Sequence, residues 1–258
     1  MKKVVFYFIL ILISSVFLVQ ASWAAPPLII SGHPNYPPYM WKQNGKLVGV
    51  GVELAMILCK ELDLVCEVQM IDSWKRVQEL TRRGKIDLLV GAYSNDERHS
   101  YMDYTIAYMQ DPTYVFIHKD RPFPFSKPED LIGKHGITMY GESFGRELDQ
   151  LINEKLRLTR AYSAESLYMN LHSQRVDYVL WGYYPWYFNV RTLGGETSWY
   201  TMYKPPIATE GMHITLSKKS SYRNLIPAMN QIIQRLQQDG TIDLWRERAL
   251  ESYLEIKR

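Results

Sequence analysis

The chain has 258 residues, 30 basic and 27 acidic, for a formal net charge of +3. That balance lacks the clustered basic excess of a nucleic-acid or membrane-surface binder and argues against both partners. Its 47% hydrophobic residues are ample for packed cores, and its 19 Tyr and 7 Trp are many for this length; such side chains join stacking surface to a polar handle and suit a ligand cleft.

At the N-terminus, Lys2 and Lys3 precede an apolar run over 4–19 and then Ala21-Ser22-Trp23-Ala24-Ala25. A short positive end, an apolar stretch and small residues before a cut mark a secretory signal peptide, predicted over 1–24 with cleavage after Ala24. The apolar run falls short of the roughly 20 residues that span a bilayer, and Pro26-Pro27 follow at once. No cysteine lies near the cut to carry a lipid. The expected mature chain starts at Ala25, soluble in the periplasm, with 28 basic against 27 acidic residues once Lys2 and Lys3 are gone.

Beyond the cut, 28–31 reads as a strand and 52–62 as a helix with Leu54, Ala55, Leu58 and Leu62 on one face. A strand over 64–70, a helix over 74–83 and a strand over 86–92 follow. This alternation implies a mostly parallel sheet covered by helices. Cys59 falls near the helix end and Cys66 on the next strand, and a helix that turns back into a strand over six residues brings two sulfurs within reach, so a disulfide is predicted in an exported chain. The segment 112–134, rich in Pro, Lys and Asp, reads as a crossing between lobes. A second alternating set then runs through strand 136–140, helix 144–155, a short strand near 159, helix 164–172, strand 176–181 and helix 185–191. Strand 212–217 and helices 222–238, capped by Gly240, and 242–253 close the chain.

Several motifs fall in a telling order: Tyr36-Pro37-Pro38-Tyr39 after the first strand, Leu47-Val48-Gly49-Val50-Gly51-Val52-Glu53-Leu54, Gly84-Lys85-Ile86-Asp87, Glu97-Arg98, and Gln238-Asp239-Gly240-Thr241 near the end. Over essentially the whole mature chain this order resembles the amino-acid-type, family 3 extracellular solute-binding proteins of ABC transporters. The cysteine spacing is likewise familiar from disulfide-bonded members. The resemblance implies a periplasmic binding protein-like type II α/β fold, two lobes joined by a two-strand hinge with the ligand cleft between them. Lobe 1 would comprise 25–113 plus 214–258 and lobe 2 114–213. It also implies a monomer that captures a small polar, carboxylate-bearing solute by hinge closure and hands it to an ABC permease in the inner membrane.

Residue by residue, the resemblance implies that Arg98 forks onto the ligand carboxylate, a task suited to a planar guanidinium. The plainer role for Arg98 is a surface pair with Asp96 or Glu97. Tyr36 and Trp74 fall where the family has aromatic walls, although Trp74 in a first helical turn also reads as a core residue. His33, Tyr93 and Ser94 are placed in the same site, as are Glu142 and Ser143, at a turn whose backbone N–H groups would favour a carboxylate. Members that bind amino acids usually carry an aspartate five residues after the position of Asp177, where it pairs with the ligand ammonium; here that place is Gly182. Either Glu142 supplies the missing charge, or the ligand lacks an amine and Tyr183 and Tyr184 offer hydroxyls.

Gly141-Glu142-Ser143-Phe144-Gly145 also matches the Gly-x-Ser-x-Gly elbow of serine hydrolases, with Asp177 and His213 in hydrolase order. The lobe is small for that fold and no oxyanion loop is visible. Two more functions fit the same resemblance: a cyclohexadienyl dehydratase-like enzyme on this fold, with Glu142 as acid, and a sensory input to a receptor. The reading adopted is non-enzymatic. The six histidines form no i, i+4 pair, and no phosphate-cradling glycine loop occurs, so neither a metal nor a cofactor is implied.

Overall fold

The structure is a computed structural model that describes residues 26–194, 196 and 198–255; the predicted signal peptide lies outside these residues. The first half builds β1 (Leu28–Ser31), a three-stranded antiparallel sheet of β2 (Asn35–Tyr36), β3 (Met40–Gln43) and β4 (Lys46–Val48), then α1 (Val50–Glu61), β5 (Cys66–Val68), α2 (Trp74–Arg82), β6 (Leu88–Ala92) and α3 (Asp96–His99). The long β7 (Met102–His118) leads into the second half: β8 (His135–Met139), α4 (Arg146–Lys155), β9 (Arg157–Ala161), α5 (Ala164–His172), β10 (Tyr178–Gly182), α6 (Tyr183–Thr192) and β11 (Tyr200–Met202). The chain returns through β12 (Ala208–Ser217) and ends in α7 (Ile226–Gln238) and α8 (Thr241–Glu255).

One sheet runs through both halves in the order β5-β1-β6-β12-β7-β10-β8-β9, with β11 also on β7. Its flanks are parallel, β1 with β5 and β6 at one end and β8 with β9 and β10 at the other. Between them the antiparallel pair β7 and β12 stays in contact from Met102 opposite Ser217 to Thr113 opposite Ala208. Beyond Thr113, β7 continues as partner of β10 and β11, so two α/β lobes share a central strand pair. Both flanks are covered by helices, which is why β6 and β10 are buried along their whole length and read as apolar runs.

Helix α1 buries Leu54, Ala55, Leu58 and Cys59, one face at helical spacing. Its end turns back into β5, and Cys59 and Cys66 are joined by a disulfide with Cα atoms 6.3 Å apart. Two sequence readings change. The segment read as a crossing from 112 onward begins as the second half of a 17-residue strand, and the small sheet of β2 to β4, which carries Tyr36, has no counterpart among the predicted elements.

Candidate functional site

The site grows from α3, a single turn after β6. Asn95 caps it by accepting a hydrogen bond from the Arg98 backbone N–H at 2.8 Å, and its amide donates to Ser143 Oγ across the seam at 2.7 Å. This turns Arg98 inward, where it is 3% exposed, so the surface ion-pair role does not hold. Its guanidinium donates to the Tyr93 carbonyl at 3.1 Å and to the Gly141 carbonyl of the other lobe at 3.2 Å, and lies 5.5 Å from the Trp74 ring. The two acceptors are neutral carbonyls, which leaves the charge itself without a bonded counter-ion among the described residues.

Around it stand His33, Tyr36, Trp74, Tyr93 and Glu142, lining a cavity of about 20 Å³, room for about one water molecule. The His33 ring packs on Tyr36 at 5.3 Å and on Trp74 at 5.5 Å. Its Nδ1 accepts the Asn35 N–H at 2.9 Å, which leaves the proton of the neutral ring on Nε2, 3.6 Å from Glu142 Oε1. Arg98 and Glu142 also wall a second, polar chamber of about 230 Å³ that includes Lys75, Asn95, Ser143 and Arg160. Both charged side chains can therefore be reached from either chamber.

Burial sets the protonation here. The Glu142 side chain is 5% exposed, and loss of water pushes its carboxyl up to about 7, against the opposing pull of Arg98. His33 is driven down to about 3 by burial and by the Arg98 charge. On β7, Asp111 is fully buried and held up at about 6 by burial, with hydrogen bonds from tyrosine hydroxyls opposing. Tyr93 donates to Asp111 Oδ2, and the Tyr36 and Tyr93 hydroxyls are 2.8 Å apart. Among the described residues, His33 Nε2, Trp74 Nε1, Trp181 Nε1, Glu142 Oε1 and Asp111 Oδ1 are buried without hydrogen-bond partners. Tyr36 ties them into one cluster, because its ring meets both His33 and Trp181. Six more such atoms occur among the described residues, on Tyr101, Thr113, Thr138, Tyr178, Trp186 and Trp199, and what marks the seam is that five gather there beside one guanidinium.

Of the residues singled out from sequence, Arg98, His33, Tyr36, Trp74, Tyr93 and Glu142 converge here. Ser94 instead pairs with His99 Nε2 at 2.7 Å. Tyr183 sits in an aromatic group with Tyr114, Tyr184 and Tyr187 at the start of α6, outside the cavity. Ser143 accepts from Asn95 and donates to Asp149, while Asp177 binds the His135 N–H and His213 the Thr105 carbonyl. The hydrolase trio is therefore not assembled. Sequence reasoning missed Asp111 and Trp181. Asp111 adjoins the supposed crossing segment, although an acid inside the aromatic and β-branched run 104–117 was a signal.

The family model for bacterial extracellular solute-binding proteins, family 3, matches residues 28–251. A probable amino-acid-binding protein of Bacillus subtilis (strain 168), YxeM, is 23% identical over 237 residues, 86% of this chain and 83% of that protein. The amino acid ABC transporter substrate-binding protein AbpA of Streptococcus pneumoniae, solved with L-arginine, superposes with a TM-score of 0.72 at 21% identity over 88% of this chain and 95% of its own. A histidine kinase sensor domain similar to periplasmic binding proteins gives 0.72 at 19% identity, over 88% and 97%.

Proposed function

Because the chain belongs to the bacterial extracellular solute-binding proteins, family 3, and its role is to bind a solute, we propose that it captures an amino acid or related carboxylate solute in the periplasm. Capture is by closure of the lobes on Arg98, and delivery is to an ABC permease. The observation that carries this reading is the cluster of five unpartnered buried polar atoms around a guanidinium bonded only to carbonyls. Such groups are costly to bury unless something satisfies them. A carboxylate on Arg98, with donors such as His33 Nε2–H and the indole N–H groups nearby, meets that need. The inner cavity is too small for an amino acid, so entry requires the lobes to part at β7 and β12, the lobe boundaries lying near 113 and 213.

The site is read as binding without turnover, since the Ser143 hydroxyl is engaged by Asn95 and Asp149 with no histidine bonded to it among the described residues. The test is a thermal-shift and calorimetric screen of the mature chain against amino acids and organic acids, a bound solute raising the melting temperature. Arg98→Ala should weaken binding of the hit by at least ~100-fold, and Arg98→Lys should recover little because the fork is lost. The hit should be recovered chemically unchanged. Equal affinity in Arg98→Ala, with circular dichroism showing the fold kept, would remove Arg98 from the site.

A further inference from the structure

Asp111 is a buried carboxylate on which no cation of the described residues acts. It lies on β7 opposite Glu210, where the two shared strands run between the lobes. It is fully buried, Tyr93 donates to one oxygen, and the other has no partner among the described residues. The influences on it are burial and the tyrosines Tyr93, Tyr36 and Tyr39, with no basic group among them. A charge held this way is retained at a cost to folding, which points to a use in binding.

The two acids of the seam are unequally provided for. Arg98 acts on Glu142, whose carboxyl burial pushes up to about 7, and His33 is neutral by its hydrogen-bond pattern, with Nδ1 accepting from Asn35. Asp111 is the acid with tyrosine hydroxyls and no cation beside it. The neighbouring pair Arg160 and Asp149 lies on the outer side, Arg160 donating to the Glu142 carbonyl and Asp149 accepting from the Phe144 N–H, and these two cancel.

Gly182, at the end of β10, makes room for this arrangement. A Cβ there would stand 2.7 Å from Tyr36 Oη and 3.3 Å from each Asp111 oxygen. Only a hydrogen at that position lets the tyrosine and the carboxylate close on the strand end, so the negative charge at the end of β10 comes from Asp111. The hydroxyl chain has a direction too. Tyr93 spends its proton on Asp111, so at the 2.8 Å Tyr36–Tyr93 contact Tyr36 must be the donor. Tyr36 then has only lone pairs left for the cavity it lines. The wall behind the aromatic cavity is thus an acceptor, backed by a full negative charge.

We propose that Asp111 is the counter-charge for a cationic nitrogen of the bound solute, acting through the Tyr93 and Tyr36 hydroxyls. The site thereby selects solutes that carry both a carboxylate and a cationic nitrogen over carboxylates alone. The assignment rests on the solute-binding reading of the Arg98 cleft. In this scheme Asp111 is a positioning residue, and its signature is selectivity.

The experiment titrates the mature chain and its Asp111→Asn variant with L-arginine, L-lysine and L-glutamine as nitrogen-cation probes, and with glutarate and pentanoate as amine-free carboxylates. The variant should lose roughly 10- to 100-fold in affinity for the amino acids that bind wild type, with its affinity for the amine-free acids unchanged within a few fold. Ligand-free Asp111→Asn should melt no lower than wild type, because a buried charge without a cation is replaced by a neutral amide. Tyr93→Phe, which cuts the relay and leaves the carboxylate, should shift selectivity in the same direction, and it serves if Asp111→Asn does not fold. Affinity for the amino acids kept within threefold, or both probe classes lost together, overturns the assignment to Asp111 while the Arg98 reading stands. Wild type binding none of the probes overturns the amino-acid reading and this assignment with it.

Discussion

Glu142 and His33 face each other across the seam, and burial moves both toward their neutral forms. The effects on stability have opposite signs. Glu142 has a folded value near 7 against an ordinary 4.5, so its contribution is fully present below about 4.5 and is lost as pH rises through about 7. Asp111 behaves alike between 3.8 and about 6. His33, lowered from 6.5 to about 3, contributes above 6.5 and loses that contribution as pH falls toward 3. The cleanest readout is a difference from Glu142→Gln, in which the other two cancel. Urea unfolding should find wild type and variant nearly equal at pH 4 and wild type weaker by about 3 kcal/mol at pH 8; a gap independent of pH would contradict a Glu142 carboxyl raised by burial. At this scale Arg98, His33, Tyr36, Trp74, Tyr93 and Glu142 were legible because they fall on turns next to short ordered motifs. Asp111 was less so: its place inside an aromatic and β-branched run was a local signal, but its environment is made by Tyr36, Tyr93 and Gly182, far away in sequence.

Among the elements, the long helices were legible to within a few residues, the one read over 222–238 beginning at Ile226, whereas the single-turn α3 that carries Arg98 had no predicted counterpart. Periodicity and caps act locally, as at Ser73 before α2 and Ser163 before α5, each accepting from a backbone N–H three residues on. Strand β7 failed for the opposite reason. Pro112 and Asp111 argue locally against a strand, yet Pro112 pairs with Thr209 where β7 passes from one lobe to the other, and tertiary pairing overrides propensity. The α1 to β5 turn rests on the Cys59–Cys66 bond, which spans a separation of 7 residues. In the chain-entropy view a loop this short gives about 2 to 3 kcal/mol. Cys59→Ser with Cys66→Ser should therefore lower the melting temperature by about 5 to 10 °C while leaving solute affinity intact, since neither sulfur approaches the cleft. Two free thiols titrated in the unfolded, unreduced wild type would refute the bridge.

Taken whole, the lobes meet across the seam in aromatic contacts, Tyr36 on Trp181 at 6.1 Å and Phe188 on Tyr253 at 5.0 Å, and in a few polar contacts. The polar ones are Asn95 to Ser143 at 2.7 Å, Asn35 to Asn189 at 2.8 Å, Arg98 and Gln78 to the Gly141 carbonyl at 3.2 and 3.3 Å, and the exposed Arg146–Asp96 pair at 2.5 Å. An exposed ion pair adds little, and each neutral bond adds only about 1 kcal/mol, so the loss of one polar contact shifts the closure equilibrium by about that much, and a bound solute shifts it the other way. Ser143→Ala tests this: it removes the seam bond from Asn95 and the hydroxyl's bond to Asp149 within its own lobe, while Asp149 keeps the Phe144 N–H at 2.8 Å. Loss of one seam bond should lower the closed fraction and weaken every solute by the same factor, about fivefold. The change should appear mainly as faster release and as a larger radius of gyration in the ligand-free protein by X-ray scattering. A Ser143 that touched the solute would behave otherwise, weakening some ligands far more than others with the scattering unchanged. A uniform loss with expansion therefore assigns Ser143 to the latch between the lobes, whereas a selective loss without expansion returns it to the binding surface.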